Sequence, residues 1–277
     1  MSAGFAAAEV KVSGSASMGV ARDAGGAAAI YNSGELDFGA TVTSDAGVEF
    51  GMSTSVSFGN AYGFADDDGF SANDGTIGAP TLTAKGTFGT LTFSDDGVDN
   101  LYSDATSGDL GYNITAGDLS VGVVLEVNGL TADGDDTDGE IGDDASTDAQ
   151  GIDWSASVGY TVSGVTLSMA TDSSTAASAS IGYTMGAITA TVGTDEGTNT
   201  ITVAYTSNGM SAEVSSSSDS TWSASLGYAL DAVSFDYSTT DAAAWEANVS
   251  YDLGAGATVV AGTNYSQDAF AGVNLSF

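Results

Sequence analysis

Trp154-Ser-Ala-Ser-Val-Gly-Tyr160, Ser178-Ala-Ser-Ile-Gly-Tyr183, Thr200-Ile-Thr-Val-Ala-Tyr205, Trp222-Ser-Ala-Ser-Leu-Gly-Tyr228 and Trp245-Glu-Ala-Asn-Val-Ser-Tyr251 are five copies of one short pattern. Their tyrosines lie 23, 22, 23 and 23 residues apart. A fixed period of that size marks one supersecondary unit used repeatedly. The unit reads as a β-hairpin. Within the first copy Trp154, Ala156, Val158, Tyr160 and Val162 fall on one face, and Asp153, Ser155, Ser157, Gly159 and Thr161 on the other. Such a period of two belongs to a strand whose faces see different surroundings. A break at Ser163-Gly164 leads into a return strand with Val165, Leu167 and Met169 on the apolar face. Ser207-Asn-Gly209 is a second such turn, and Asn-Gly is a strong short hairpin signal. Each strand has roughly 9 to 11 residues, the length that crosses a bilayer's hydrocarbon layer when tilted.

Alternation alone does not say which face is inside, since a soluble sandwich also alternates. The ends of the apolar rows carry more information. Trp154, Trp222 and Trp245 stand at one end, with Tyr160, Tyr228 and Tyr251 at the other; Tyr183 and Tyr205 close the remaining copies. This spacing puts an indole at one membrane interface and a phenol at the opposite one, as the two aromatic girdles of a membrane barrel require. The Ser, Thr, Gly, Ala, Asn and Asp of the other face suit a water-filled lumen. The expected fold is therefore all-β, a transmembrane antiparallel up-and-down barrel, formed by residues 9–277 as a single domain.

Lys and Arg number 3 against 37 Asp and Glu, a formal charge of −34, so binding to nucleic-acid phosphates is opposed and cations are attracted. The chain has neither cysteine nor histidine. Disulfides, thiolate metal sites and imidazole-based catalysis are therefore excluded. No run approaches the roughly 18 apolar residues of a membrane helix. Any spanning structure must be made of strands closed into a ring.

Residues 1–8, Met-Ser-Ala-Gly-Phe-Ala-Ala-Ala, end in the small-residue form read by signal peptidase, and are expected to be the tail of a signal peptide preceding a strand at Glu9. In the first strand, Val10 and Val12 point outward while Glu9, Lys11, Ser13, Ser15 and Ser17 point inward. A hairpin over Gly34 to Phe58 turns at Ser44-Asp-Ala-Gly47, and Asn60 to Gly75 reads as an acidic loop around Asp66-Asp-Asp68. Pro80, the sole proline, opens the next strand, where a missing donor is tolerated. Strands at Thr81 to Thr87 and Thr90 to Ser94 precede a loop at Asp95 to Asp109, and Leu110 to Asn128 turns through Gly117-Asp118. Leu130 to Gln150 reads as the longest and most acidic loop, and the last strand is Ala269 to Phe277.

Four segments are similar to the trimeric general porins of Gram-negative outer membranes, especially those of photosynthetic and marine alphaproteobacteria. They are Glu9-Val-Lys-Val-Ser-Gly-Ser-Ala-Ser-Met-Gly-Val20, Thr43-Ser-Asp-Ala-Gly-Val-Glu-Phe-Gly51, Gly86-Thr-Phe-Gly-Thr-Leu-Thr-Phe93 and Gly272-Val-Asn-Leu-Ser-Phe277. The first and last are the more specific; between Gly151 and Asp268 the likeness is one of pattern. The resemblance implies 16 strands, whereas counting hairpins here gives 18. It also implies an outer-membrane location, a homotrimer, contact with outer-membrane lipid, and a terminal Phe277 read as a signal by the outer-membrane assembly machinery.

In that family the third long loop folds inward and narrows the pore, opposite basic wall residues. The matching loop carries Asp95, Asp96, Asp99, Asp104 and Asp109, and alternation turns Lys11 and Lys85 into the lumen. The family's arginine cluster is missing, and Arg22 sits near a loop. Carboxylates facing two lysines imply a cation-preferring constriction. Asp136-Thr-Asp138-Gly139-Glu140-Ile141 has part of a calcium-loop spacing, but Gly134 and Ala145 fall where two ligands belong. Loose attraction of Ca2+ or Mg2+ at Asp136, Asp138 and Glu140 is expected there, with no specific cofactor. The reading is of a passive channel for small hydrophilic solutes and cations, and not of an enzyme. Its rival is a secreted, acidic structural or adhesive β protein.

Overall fold

The computed structural model describes residues 9–63, 69–103, 106–127 and 152–277. These form nineteen strands and, among the described residues, no helix. The first eight are β1 (Glu9–Arg22), β2 (Ala29–Thr43), β3 (Glu49–Gly63), β4 (Gly69–Ile77), β5 (Thr81–Gly86), β6 (Gly89–Asp99), β7 (Ser107–Ala116) and β8 (Leu119–Val127). The repeat region supplies β9 (Ile152–Val162), β10 (Val165–Asp172), β11 (Ala177–Met185), β12 (Ile188–Asp195), β13 (Thr198–Ser207), β14 (Met210–Ser217), β15 (Trp222–Leu230), β16 (Val233–Thr240) and β17 (Trp245–Gly254). The chain ends with β18 (Ala257–Asn264) and β19 (Ala269–Ser276). The five repeat copies fall on β9, β11, β13, β15 and β17.

The strands form one sheet, and β1 pairs with both β2 and β19. Its pairing with β19 is antiparallel and runs from Ser15 opposite Ser276 to Arg22 opposite Ala269. The ring of hydrogen bonds is thereby closed, which removes the edges that an open sheet leaves unpaired. An antiparallel ring needs an even number of staves, and the strands number nineteen. β3 accounts for the difference. It pairs with β4 from Val56 opposite Ile77 to Gly63 opposite Gly69, and also with β5. β4 and β5 are thus two halves of one stave, interrupted at Gly78-Ala79-Pro80, where the Gly78 N–H donates to the Ser55 carbonyl at 3.2 Å. Eighteen staves result, the number given by the hairpin count and not the family's 16. The sequence expectation of a loop over Asn60 to Gly75 is corrected: Asp and Gly content suggested a loop, but the backbone ladder continues through Tyr62 opposite Phe70. Asp66-Asp-Asp68 lies outside the described residues.

By its contacts the chain divides into two compact units, Met1–Glu9 with Thr41–Met52 and Ala79–Ser180, and Val10–Ala40 with Ser53–Gly78 and Ile181–Phe277. In the second, β13 shows how side chains sort. Ile201, Val203 and Tyr205 are 57%, 47% and 39% exposed, while Thr200, Thr202 and Ala204 between them are half-buried. On a curved sheet, side chains splay on the convex side and crowd on the concave side, so the apolar row is convex and the hydroxyl row concave. The concave row is laced by hydroxyl pairs, Thr200 with Ser217 at 2.8 Å, Thr202 with Ser215 at 3.1 Å and Ser234 with Ser250 at 2.5 Å. The first unit sorts alike: in β9 Trp154, Val158 and Tyr160 are exposed and Ser155 is buried. Only Ala21, Tyr31, Val124 and Ala176 are buried apolar residues among those described.

Turn chemistry fixes the hairpins. In the second unit β13–β14, β15–β16 and β17–β18 join through two-residue turns, and Asn208-Gly209 has φ of 51° and 78°, the doubly positive pair that a type I′ turn requires. The opposite ends join through four residues, Ser218–Thr221, Asp241–Ala244 and 265–268, with Ser220, Ala243 and Gln267 at positive φ. Gly209→Ala should destabilise the barrel by about 2 kcal/mol or more, because it adds a left-handed penalty and drives a methyl into the Ala229 carbonyl oxygen. Gly186→Ala, with φ of 62° but open space around it, should cost only about 1 kcal/mol. Urea unfolding in detergent compares the two.

Candidate functional site

The β6–β7 ladder is regular to Phe93 opposite Leu110 and resumes at Val98 opposite Gly108. Ser94, Asp95, Asp96 and Gly97 are therefore set against Asp109 alone, a bulge that bends the strand. Its base is tied down by Ser94, only 7% exposed, whose hydroxyl pairs with that of Thr81 at 2.9 Å. Beyond the bulge the chain crosses the concave face of three strands. The Val98 Cγ1 stands 2.8 Å from where a Cβ on Gly111 of β7 would lie, and the Leu101 Cδ1 stands 2.9 Å from the corresponding point on Gly122 of β8. The Leu101 N–H then donates to the Ser155 Oγ of β9 at 2.9 Å. Asn100 stiffens the crossing, its Oδ1 accepting from the N–H groups of Tyr102 at 2.8 Å and Ser103 at 3.1 Å.

The third loop thus folds inward, but with other boundaries than the sequence suggested. β6 runs to Asp99 and β7 starts at Ser107, so the loop is 100–106 and not Asp95 to Asp109. Asp95 and Asp96 stand in the bulge, Asp99 ends β6 and Asp109 lies on β7; Asp104 falls outside the described residues. The acidic, glycine-containing run reads as a loop, yet pairing resumes beyond it. Beside the crossing is a cavity of about 580 Å3 whose lining includes Asn100, Thr106, Glu126, Asp153 and Asp172.

Lys85 alternates with Thr83 and Thr81, in the row that includes the Thr81–Ser94 pair, and its side chain is exposed. Lys11, in the other unit, alternates with Ser13, Ser15 and Ser17, and Ser17 pairs with Ser33 at 2.8 Å. Arg22 donates from Nη2 to the Gln267 carbonyl at 3.1 Å. Trp154, Trp222 and Trp245 and the tyrosines 160, 183, 205, 228 and 251 are all solvent-exposed on the apolar rows. Phe277 extends the seam: its N–H donates to the Gly14 carbonyl at 2.9 Å, and its carbonyl accepts from the Gly14 N–H at 2.8 Å. Residues 1–8 and Asp136, Asp138 and Glu140 lie outside the described residues. Among those described, no group of three or more carboxylates is arranged to hold a metal ion.

A second cluster, in the second unit, is not marked by the alternation of apolar and polar residues. Tyr31 stacks on Tyr62 with ring centroids 5.9 Å apart, and Tyr62 meets Phe270 at 6.3 Å. Above them Asp268, 8% exposed, accepts from the Ala24 N–H at 2.5 Å and from the Asn264 Nδ2 at 2.9 Å. These bonds tie the turn after β1 to the turn before β19. No sequence signal marks them, since the partners are some 240 residues apart, with |i−j| of 244 for Ala24 and Asp268.

Solved structures share this architecture. A triple mutant of the Rhodopseudomonas blastica porin matches with a TM-score of 0.55 and 16% identity, over 97% of this chain and 100% of that one. A double mutant of the same porin gives 0.55 and 15% over the same shares. A structure described as asymmetric conductivity of engineered proteins gives 0.53 and 16%, again over 97% and 100%. No family model matches the sequence, and no curated protein matches it.

Proposed function

We propose that this chain, whose closed barrel has the porin fold, forms a water-filled channel across a bacterial outer membrane for passive diffusion of small hydrophilic solutes, with a preference for cations. The observation that carries this reading is the sorting on β13: a convex row of Ile201, Val203 and Tyr205 fit to meet lipid, and a concave row of Thr200 and Thr202 fit to meet water. The exposed tryptophans and tyrosines fit the interfacial girdles of such a barrel. The near absence of buried apolar side chains among the described residues argues against a soluble adhesive protein, which would need a dry core.

Cation preference is supported by charge. Asp95 and Asp99 flank the inward crossing, and Glu126, Asp153 and Asp172 line the cavity beside it, against Lys85 on the same unit's wall. At the turn before β15, the Thr221 hydroxyl and N–H hold the Asp219 carboxyl below the usual carboxylate range, so that turn keeps its charge into acid. In a KCl gradient across a planar bilayer the reversal potential should take the sign set by K+ permeation. Preference for Cl− would overturn the selectivity. A chain that stays folded without detergent and forms no pore would overturn the channel.

The same reading makes the protein a homotrimer in contact with outer-membrane lipid, its protomers meeting through the apolar face near β1, where Val10, Val12, Met18 and Val20 are exposed. It makes Phe277, exposed at the end of the closing strand, the signal for the assembly machinery. Loosely attracted Ca2+ or Mg2+ at the long acidic loop belongs to the same proposal. An enzymatic role is disfavoured in this reading, since without histidine there is no Ser-His pair and no carboxylate pair stands out from the general acidity.

A further inference from the structure

Ser155 is the one described side chain of its size that is completely buried, at 1% exposure, although its row neighbours Ser157 and Gly159 are half-open. The Leu101 N–H, donating to its Oγ at 2.9 Å, comes from the segment lying over it. On the way there the segment rests on two positions without side chains. A Cβ on Gly111 would meet the Val98 Cγ1 at 2.8 Å, and one on Gly122 would meet the Leu101 Cδ1 at 2.9 Å and the Asn113 Oδ1 at 2.8 Å. Any larger residue would lift the segment off the wall.

We propose that Ser155 is the positioning residue that sets the aperture of the lumen. Its bond to Leu101, whose side chain is seated over Gly122, fixes how far the stretch from Asn100 to Ser103 projects from the concave wall, past the point where Val98 and Asp99 are held in the ladder by Gly108 and Ser107. The inference rests on the channel reading above and goes beyond it by naming what holds the narrowing in place. A cavity of about 580 Å3 lies beside the segment, with Asn100 and Thr106 in its lining. The Asn100 carboxamide oxygen accepts from the Tyr102 and Ser103 N–H groups within the segment, so the latch at Leu101 positions these residues together. The Ser155 hydroxyl acts on permeating ions only through that segment.

Single-channel recording of the full chain in planar bilayers tests this with two variants. Ser155→Ala removes the acceptor; Gly122→Ala keeps it and pushes Leu101 from its seat. The wild type should hold one dominant conductance. Each variant should visit a second level with occupancy raised roughly fivefold, the shift expected from losing one ordinary hydrogen bond, while its unfolding midpoint in detergent stays near that of the wild type. If Ser155→Ala fails to fold, Gly122→Ala decides. A conducting wild type whose folded variants show the same level and the same fluctuations overturns the latch and leaves the channel reading intact. A wild type that never conducts overturns both.

Discussion

Val203→Arg should abolish assembly of the barrel, or cost about 2–4 kcal/mol where it still folds, because on the channel reading a guanidinium would sit midway along a stave facing lipid. Thr202→Arg, one residue earlier, should fold with little loss. Adjacent residues of β13 point to opposite faces, so the pair changes side and nothing else. Val203 is 47% exposed on the convex row, and Thr202 shares a 3.1 Å hydroxyl contact with Ser215 on the concave one. On the proposed channel reading a guanidinium at position 202 would face the water-filled lumen, so it should also shift the reversal potential toward anion permeation. Heat-modified gel mobility reads assembly, and bilayer recording reads charge selectivity. Equal tolerance of both substitutions, or tolerance of Val203→Arg alone, would overturn the assignment of faces on which the channel reading stands.

The second large effect is expected at the seam. Gly19 of β1 and Gly272 of β19 are direct register partners, and the Tyr31 phenol lies across both. A Cβ on Gly19 would stand 2.6 Å from the Tyr31 Oη and 2.7 Å from the Gly272 Cα; one on Gly272 would run into the same phenol and stand 2.5 Å from the Met18 carbonyl. Tyr31 is 4% exposed and stacked on Tyr62, so it has little freedom to withdraw. Gly272→Val should cost roughly 3 kcal/mol, at the upper end of overpacking. Part of that cost should vanish in a Tyr31→Ala background, because the two changes share one contact, while the approach to the Met18 carbonyl remains. Urea unfolding of the four proteins in detergent gives the coupling; additive losses would show that the phenol does not occupy this seat.

The period-two rows and the Asn-Gly and Ser-Gly turns were legible in the sequence, because each depends on residues near one another in the chain; the hairpin count pointed to 18 staves while the resemblance implied 16. The Trp-to-Tyr interval of the repeat needs only strand geometry to become two aromatic rows. What could not be read depends on packing between distant segments. Gly122 and Gly111 look like ordinary members of a Gly-rich polar face; only the path of Val98 and Leu101 across them shows why a side chain is missing there. Ser155 likewise appears in the repeat as one serine among several. The acidic run at Asp95 to Asp109 misled for a related reason. Asp and Gly favour loops locally, but a bulge lets the strand absorb four of those residues and resume pairing.

The place where the ring closes has a consequence for how such a molecule comes into being. Every other stave pairs with a neighbour in the chain and can form as soon as its hairpin is made, but Ser15 waits for Ser276. The clasp is thus the most non-local contact of all, and slow to be found by chance. A polypeptide interrupted before β19 would carry two bare rims of unmatched amides, each group costing several kcal/mol in hydrocarbon. On the channel reading, partial products should therefore not settle in a bilayer, and insertion should wait for β19 (Ala269–Ser276).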